Sequence, residues 1–280
     1  MRHNINNSII ISSFIILFAG SIMAVDLEKT YEFADIHSIN IKAMTGEINI
    51  HSGDGDKIIF HYINKMEKPD IISLDIDSAR GELFIEEKCD VKDPVGHTTL
   101  DITIPQNLIV EMIDCFSGYQ SIEIHDVDAD FIKCHAATGS IAIGSVKSTE
   151  MDLTTSSGPI NLENCEIKEY ANMVSSGGHI LIELPYLPSK KTNTASTTAD
   201  TYLAVEDFGD NFKLTIIKNE DEGHILIPFK CTESYTERYH KEDTFKSDFC
   251  VVKMGRGGPE INMITGYGKI NINEGKASRE

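Results

Sequence analysis

The sequence predicts an all-β protein, a single-stranded parallel β-solenoid (a β-helix) built from coils of about 19 residues. Three observations carry this. Pairs of apolar residues separated by one position recur along most of the chain. A glycine stands two residues before the second pair of most units. The central units repeat at intervals of 19, 19 and 20, at Ile122, Ile141, Ile160 and Ile180. Alternation at period 2 marks a strand with one buried face, and short units of this kind bury that face only by stacking on one another. The alternative is an antiparallel β-sandwich of hairpins, because strand, glycine turn, strand is also how a hairpin reads.

Residues 1–24 stand apart from the fold. Arg2 and His3 precede an apolar run from Ile9 to Phe18, broken only by Ser12 and Ser13, and Ala19 to Ala24 forms a small-residue exit. This reads as a secretory signal cut after Ala24. The run is shorter than the ~20 residues a spanning helix needs, and no later run is longer. The expectation is an exported chain, in the periplasm, at the outer surface or outside the cell, with no transmembrane span after cleavage. Three segments follow: the signal at 1–24, solenoid repeats at 25–228, and a cysteine-flanked insert with a terminal coil at 229–280.

In chain order the units are Ile39/Ile41 with Ile48/Ile50, Leu74/Ile76 with Leu83/Ile85, and Ile113/Cys115 with Ile122/Ile124. Next come Ile132/Cys134 with Ile141/Ile143, Met151/Leu153 with Ile160/Leu162, and Ala171/Met173 with Ile180/Ile182. Thr194/Ser196 with Leu203/Val205 and Leu214/Ile216 with Ile225/Ile227 are degenerate copies, and Ile261/Met263 with Ile270/Ile272 closes the chain. Val127, Val146 and Cys165 add a third inward position to the central coils. Gly46, Gly81, Gly139, Gly158, Gly178, Gly223 and Gly268 mark turns that need either φ > 0 or close backbone approach. Before residue 100 the units lie 35 residues apart, Ile48 to Leu83, so longer loops are expected there and the hairpin reading gains ground. Protection of the two ends against edge-to-edge pairing is assigned to Asp26–Asp35 as a cap at one end and to the charged tail Glu274–Glu280 at the other.

A hydrophobic share of 41% is enough for a core, and 44 Asp and Glu against 25 Lys and Arg give a net charge of −19. That balance argues against nucleic acid as a partner, since phosphate is bound by clustered cations. Six cysteines in an exported chain meet oxidising surroundings. Cys231 and Cys250 flank the charge-rich stretch Thr232–Phe249 and are a disulfide candidate. Cys115 and Cys134, inward and one coil apart, are either a stacked disulfide or two buried thiols. No Cys-x-x-Cys and no His pair at ligand spacing suggests a metal centre. Asp126, Asp128 and Asp130 form either an outer Ca²⁺-binding face or a solvated acidic turn. The histidines, among them His51, His61, His125 and His135, read as surface residues. The Ser and Thr of 154–157, 175–176 and 192–201 either face a glycan or fill turns.

Taken together, the stretch Ile102-Thr-Ile-Pro105, the Ser117-Gly118 to Ile124 coil, Thr138-Gly-Ser-Ile-Ala-Ile143, Ser156-Ser-Gly-Pro-Ile-Asn-Leu162 and Ser176-Gly-Gly-His-Ile-Leu-Ile182 resemble a known family. It is the group of bacterial exported β-strand-repeat proteins that carry the label "adhesin". The resemblance covers roughly residues 36–227. It implies a β-helical fold and an envelope or surface location, and it supplies no catalytic residue and no cofactor. The expected function is non-enzymatic binding of a glycan or protein, or self-association. The alternatives are a polysaccharide-active β-helix enzyme, and an envelope assembly or stress component with a dedicated protein partner.

Overall fold

In the computed structural model, residues 25–32, 36–91, 95–106, 108–219, 224–230, 232–238, 246–256 and 258–275 are described. The described residues form two mixed, mostly parallel sheets, of 11 and 12 strands, that face each other across one core.

The N-terminal region holds β1 (Val25–Glu32), β2 (Ser38–Ala43), β3 (Gly46–Gly53), β4 (Lys57–Asn64), β5 (Ile72–Ala79), β6 (Glu82–Cys89) and β7 (Thr98–Pro105). The central coils follow as strand pairs: β8 (Ile109–Ser117) with β9 (Ile122–His125), β10 (Asp128–Ala136) with β11 (Ile141–Gly144), and β12 (Lys147–Thr155) with β13 (Ile160–Glu163). They continue through β14 (Glu166–Ser175) with β15 (Ile180–Tyr186), and β16 (Lys191–Ser196) with β17 (Thr201–Asp207). The C-terminal region holds β18 (Phe212–Asn219), β19 (Ile225–Leu226), β20 (Glu233–Arg238), β21 (Lys246–Met254), β22 (Glu260–Thr265) and β23 (Ile270–Glu274).

Within each central coil the first strand joins the 12-stranded sheet and the second joins the 11-stranded sheet. Parallel pairing at the predicted interval puts Ile141 between Ile122 and Ile160, with Ile180 next, and all four side chains are fully buried. Each such side chain withdrawn from water contributes roughly 1.5–3 kcal/mol. Val127, Val146 and Cys165 are also buried, at the corner between the sheets.

The two corners of a coil use different chemistry. At one, a single residue per coil adopts left-handed backbone: Asp126 (φ 57°), Ser145 (φ 54°) and Asn164 (φ 53°). At the other, Gly139, Gly158, Gly178 and Gly268 have ordinary φ, and what they provide is room. A Cβ on Gly158 would collide with the carbonyl oxygen of Gly139, and one on Gly178 with that of Gly158. Of the two readings open for these glycines, close approach between coils is therefore the one realised. Gly81 differs, since it forms the β5–β6 hairpin turn with Arg80, both at positive φ.

A buried hydroxyl completes three of these four glycine corners, those of Gly158, Gly178 and Gly268. Thr155 Oγ1 accepts from Gly158 N (3.0 Å) and donates to Gly139 O of the preceding coil (3.1 Å). Ser175 does the same with Gly178 N and Gly158 O, and Thr265 with Gly268 N and Ala199 O. Thr192, Thr194 and Thr201 are buried as well. The Ser/Thr stretches thus divide, with these residues inside the tube and Ser156, Ser157 and Ser176 on the surface.

At the ends the stack does not follow chain order. The last coil does not close the stack: β22 lies between β16 and β18, and β23 between β17 and β19. Likewise β2 lies between β6 and β8, and β3 between β7 and β9. The first and last coils are interior, and the segments looped out between them and the central coils form the ends. The hairpin alternative holds there, in the antiparallel pairs β1–β4, β4–β7, β5–β6, β18–β21 and β20–β21. Strand β1 occupies the edge of the 11-stranded sheet, while the tail beyond Gly275 lies outside the described residues.

The N-terminal end also contains a buried acid. Glu87 takes an inward place on β6 and accepts hydrogen bonds from Thr45 N (2.8 Å), Thr45 Oγ1 (2.7 Å) and Thr98 Oγ1. It ties β6 of one sheet to β7 of the other, and three donors offset the desolvation of its carboxyl group.

Candidate binding face

The predicted site residues are dispersed. Asp126 forms a left-handed corner, Asp128 opens β10 and accepts from Lys147 N (3.2 Å), and Asp130 is exposed further along the strand. Among the described residues no group of three or more His, Cys, Asp or Glu is placed to hold a metal ion. Cys115 and Cys134 are direct partners in the parallel ladder, as the spacing requires, yet both are free thiols. In a parallel register the two Cβ atoms point the same way at the strand spacing of about 4.8 Å, wider than the ~3.8 Å of a disulfide. The hydrogen bond with Cys134, and then burial, push the Cys115 thiol well above its ordinary range. Burial pushes the Cys165 thiol up to about 11. Cys250 is buried on β21, and Cys231 lies outside the described residues.

What the fold does bring together is the outer face of the 12-stranded sheet. Because the strands are in register, outward side chains form rows across the coils. One row runs Met112, Phe131, Glu150, Tyr170, Lys191. Its apolar members are exposed, Met112 by 36%, Phe131 by 47% and Tyr170 by 38%. The next row runs Asp114, Lys133, Asp152, Asn172, Asn193, with Lys133 Nζ 3.6 Å from Asp114 and Asn172 Nδ2 donating to Asp152 at 2.8 Å. In the third row the rings of Phe116 and His135 stack at 5.4 Å and 5°.

Beside the first row, the pairing of β12 with β14 shifts register between Ser148 and Glu150, an irregularity of the kind that re-aims neighbouring side chains. It borders a groove of about 120 Å³ lined by Ile109, Asp128, Asp130, Lys147, Glu166 and Tyr186, among others. Tyr186 OH donates to Glu166 Oε2 at 3.0 Å, and Lys147 Nζ lies 3.4 Å from Glu166 Oε1. Partial burial, followed by the Glu166 carboxylate, raises the Tyr186 phenol. The groove is thus lined with alternating donors and acceptors, and the adjoining row offers apolar rings. This combination suits noncovalent recognition.

The exposed row was legible in the sequence: Met112, Phe131, Glu150 and Tyr170 follow one another at 19, 19 and 20, the interval of the core ladder. Only the outward phase of the strands distinguishes them from core residues.

Among the described residues no helix is long and apolar enough to cross a membrane. The family model described as Toastrack DUF4097 matches residues 3–275. No curated protein matches the chain. Similar solved structures include a "putative cell adhesion protein" from Clostridium sporogenes, 12% identical, covering 90% of this chain and 99% of its own, with a TM-score of 0.36. A "putative adhesin" from Bacteroides fragilis is 10% identical, with 89% and 97% coverage and a TM-score of 0.45. A "putative adhesin" from Parabacteroides merdae is 9% identical, with 89% and 96% coverage and a TM-score of 0.38.

Proposed function

We propose, from the premise that the chain belongs to the Toastrack DUF4097 family, that it is a non-enzymatic, exported envelope or surface protein. It binds another macromolecule through the outer face of its 12-stranded sheet. The observation that carries the reading is the exposed row Met112, Phe131, Tyr170, aligned by strand pairing on one sheet face, because aligned exposed apolar groups mark interaction sites. On this reading residues 1–24 are a signal removed after Ala24, so the mature chain begins at Val25. The coils from Ile109 to Asp207 form one continuous single-stranded solenoid, supported by parallel ladders that join every neighbouring coil, with one register shift between β12 and β14. Cys231 and Cys250 form a disulfide that closes the charge-rich stretch between them, a pairing supported by their position flanking residues 232–249.

The test is retention of the purified chain on immobilised polysaccharides and matrix proteins, with released reducing ends measured in the same wells. The expected result is retention without product, abolished by Phe131→Asp at unchanged melting temperature. Product release would overturn the non-enzymatic reading, and retention unaffected by Phe131→Asp would overturn the assignment of the face.

A further inference from the structure

We propose that the Phe131–Tyr170 row and the groove beside it take an extended, uncharged β-1,4-linked glycan lying along the stacking axis of the coils. The inference deepens the macromolecule-binding reading above and rests on it.

Spacing is the first argument. Phe131 and Tyr170 stand two strands apart in one row, with Glu150 between them. At about 4.8 Å per strand their rings lie about 9.6 Å apart. That is close to the two-sugar repeat of a fully extended β-1,4-linked chain, so alternate sugars meet an aromatic ring. Aromatic rings take the C–H face of a sugar by dispersion and apolar burial. Lys190 from the next coil sits 4.9 Å over one face of the Tyr170 ring and is bonded to Glu169, so the sugar takes the opposite face.

Polar groups supply the second argument. Between the rings, the Glu150 carboxylate is an acceptor for the intervening sugar. Along the groove Asp128, Lys147 and Glu166 follow one another in the same register, so acceptor, donor and acceptor repeat at the strand interval, with the Tyr186 hydroxyl beside them. A polymer of hydroxyls spaced along a straight axis matches such a lining.

Charge decides the class of glycan. Row and groove carry Asp128, Asp130, Glu150 and Glu166 against Lys147, Lys168 and Lys191, with the Lys190–Glu169 pair neutral beside Tyr170, so they remain net acidic within a chain of net charge −19. Uronic-acid and sulfated polymers are repelled by this field, which leaves uncharged chains.

Calorimetric titration of the full chain with cellohexaose and chitohexaose tests this, with cellobiose, maltohexaose and polygalacturonate as comparisons. Expected is binding of at least one β-1,4-linked hexasaccharide, with cellobiose at least about tenfold weaker because it spans a single ring, and no binding of maltohexaose or polygalacturonate. Phe131→Ala and Tyr170→Ala should each weaken the hexasaccharide about tenfold without moving the melting temperature, since both side chains face solvent. Failure of both hexasaccharides to bind, or equal binding by the double variant, would overturn the proposal. If the double variant then still lost retention on the matrix-protein panel, the glycan assignment alone would fall. If it lost nothing, the binding face would fall with it.

Discussion

Thr155 Oγ1 donates a hydrogen bond to the carbonyl oxygen of Gly139, one coil earlier in the stack, while accepting from the amide of Gly158 in its own turn. One buried hydroxyl therefore joins two coils at the point where a glycine lets them approach. Ser175 and Thr265 repeat the arrangement, so the corner is a ladder of its own beside the apolar one.

Thr155→Val keeps the shape of the side chain and removes both bonds, leaving a buried amide and a carbonyl short of a partner. The expected cost is about 1–3 kcal/mol, read as a lower urea midpoint. Ser156→Ala, one residue on and exposed, should change almost nothing.

Gly158→Ala puts a methyl group against the backbone of Gly139 and Ser140. Neither neighbour can yield without separating two coils, so the loss should exceed the ~1–3 kcal/mol usual for overpacking. Circular dichroism of the purified variant would show lost β-structure or a markedly lower melting temperature, and a native melting curve would contradict the close-approach reading of these glycines.

Thr194 sits in the inward ladder between Met173 and Met263, and its hydroxyl is buried without a hydrogen-bond partner. Replacing it by Val removes that uncompensated polar group at nearly constant volume. A gain of about 1 kcal/mol is expected, measured as a higher midpoint at unchanged denaturant slope.

Cys165 has a folded pKa raised from 9.0 to about 11 by burial. A raised pKa makes a contribution to stability that is complete below the unfolded value and lost as pH rises through the folded one. Stability should therefore fall between about pH 9 and about pH 11, and less steeply in Cys165→Ala. The urea midpoint across that window checks this. Cys115 titrates in the same direction and is left in place in the variant as an internal reference.

Much of the coil was legible because its constraints are local. Alternation placed Ile122, Ile141, Ile160 and Ile180 inside, and the glycine two residues before each strand marked the turn. The hydroxyl three residues before Gly158, Gly178 and Gly268 is equally periodic, yet a Ser or Thr in a turn usually reads as surface. Glu87 was not legible at all. Within -Leu-Phe-Ile-Glu-Glu-Lys- it looks like one of two solvated acids, and only the approach of Thr45 and Thr98, from 42 and 11 residues away, gives an inward carboxylate its donors. The binding face lay between these cases, since its interval was present in the sequence but its groove comes from neighbouring strands.

The sequence by itself determined the class of the fold, the period of the coil and the side on which each central residue lies, because a strand has two faces and a one-residue slip would bury charge. The tertiary structure decided the order in which coils stack. Each coil presents the same inward pairs and the same backbone edge, so the ladder accepts a coil from anywhere in the chain. The pair β22–β23 completes the stack between strands that precede it by tens of residues, and β2–β3 does so at the other end between strands that follow it. Strand edges carry backbone hydrogen bonds and no sequence identity, and for that reason neighbourhood along the chain could not predict neighbourhood in the sheet.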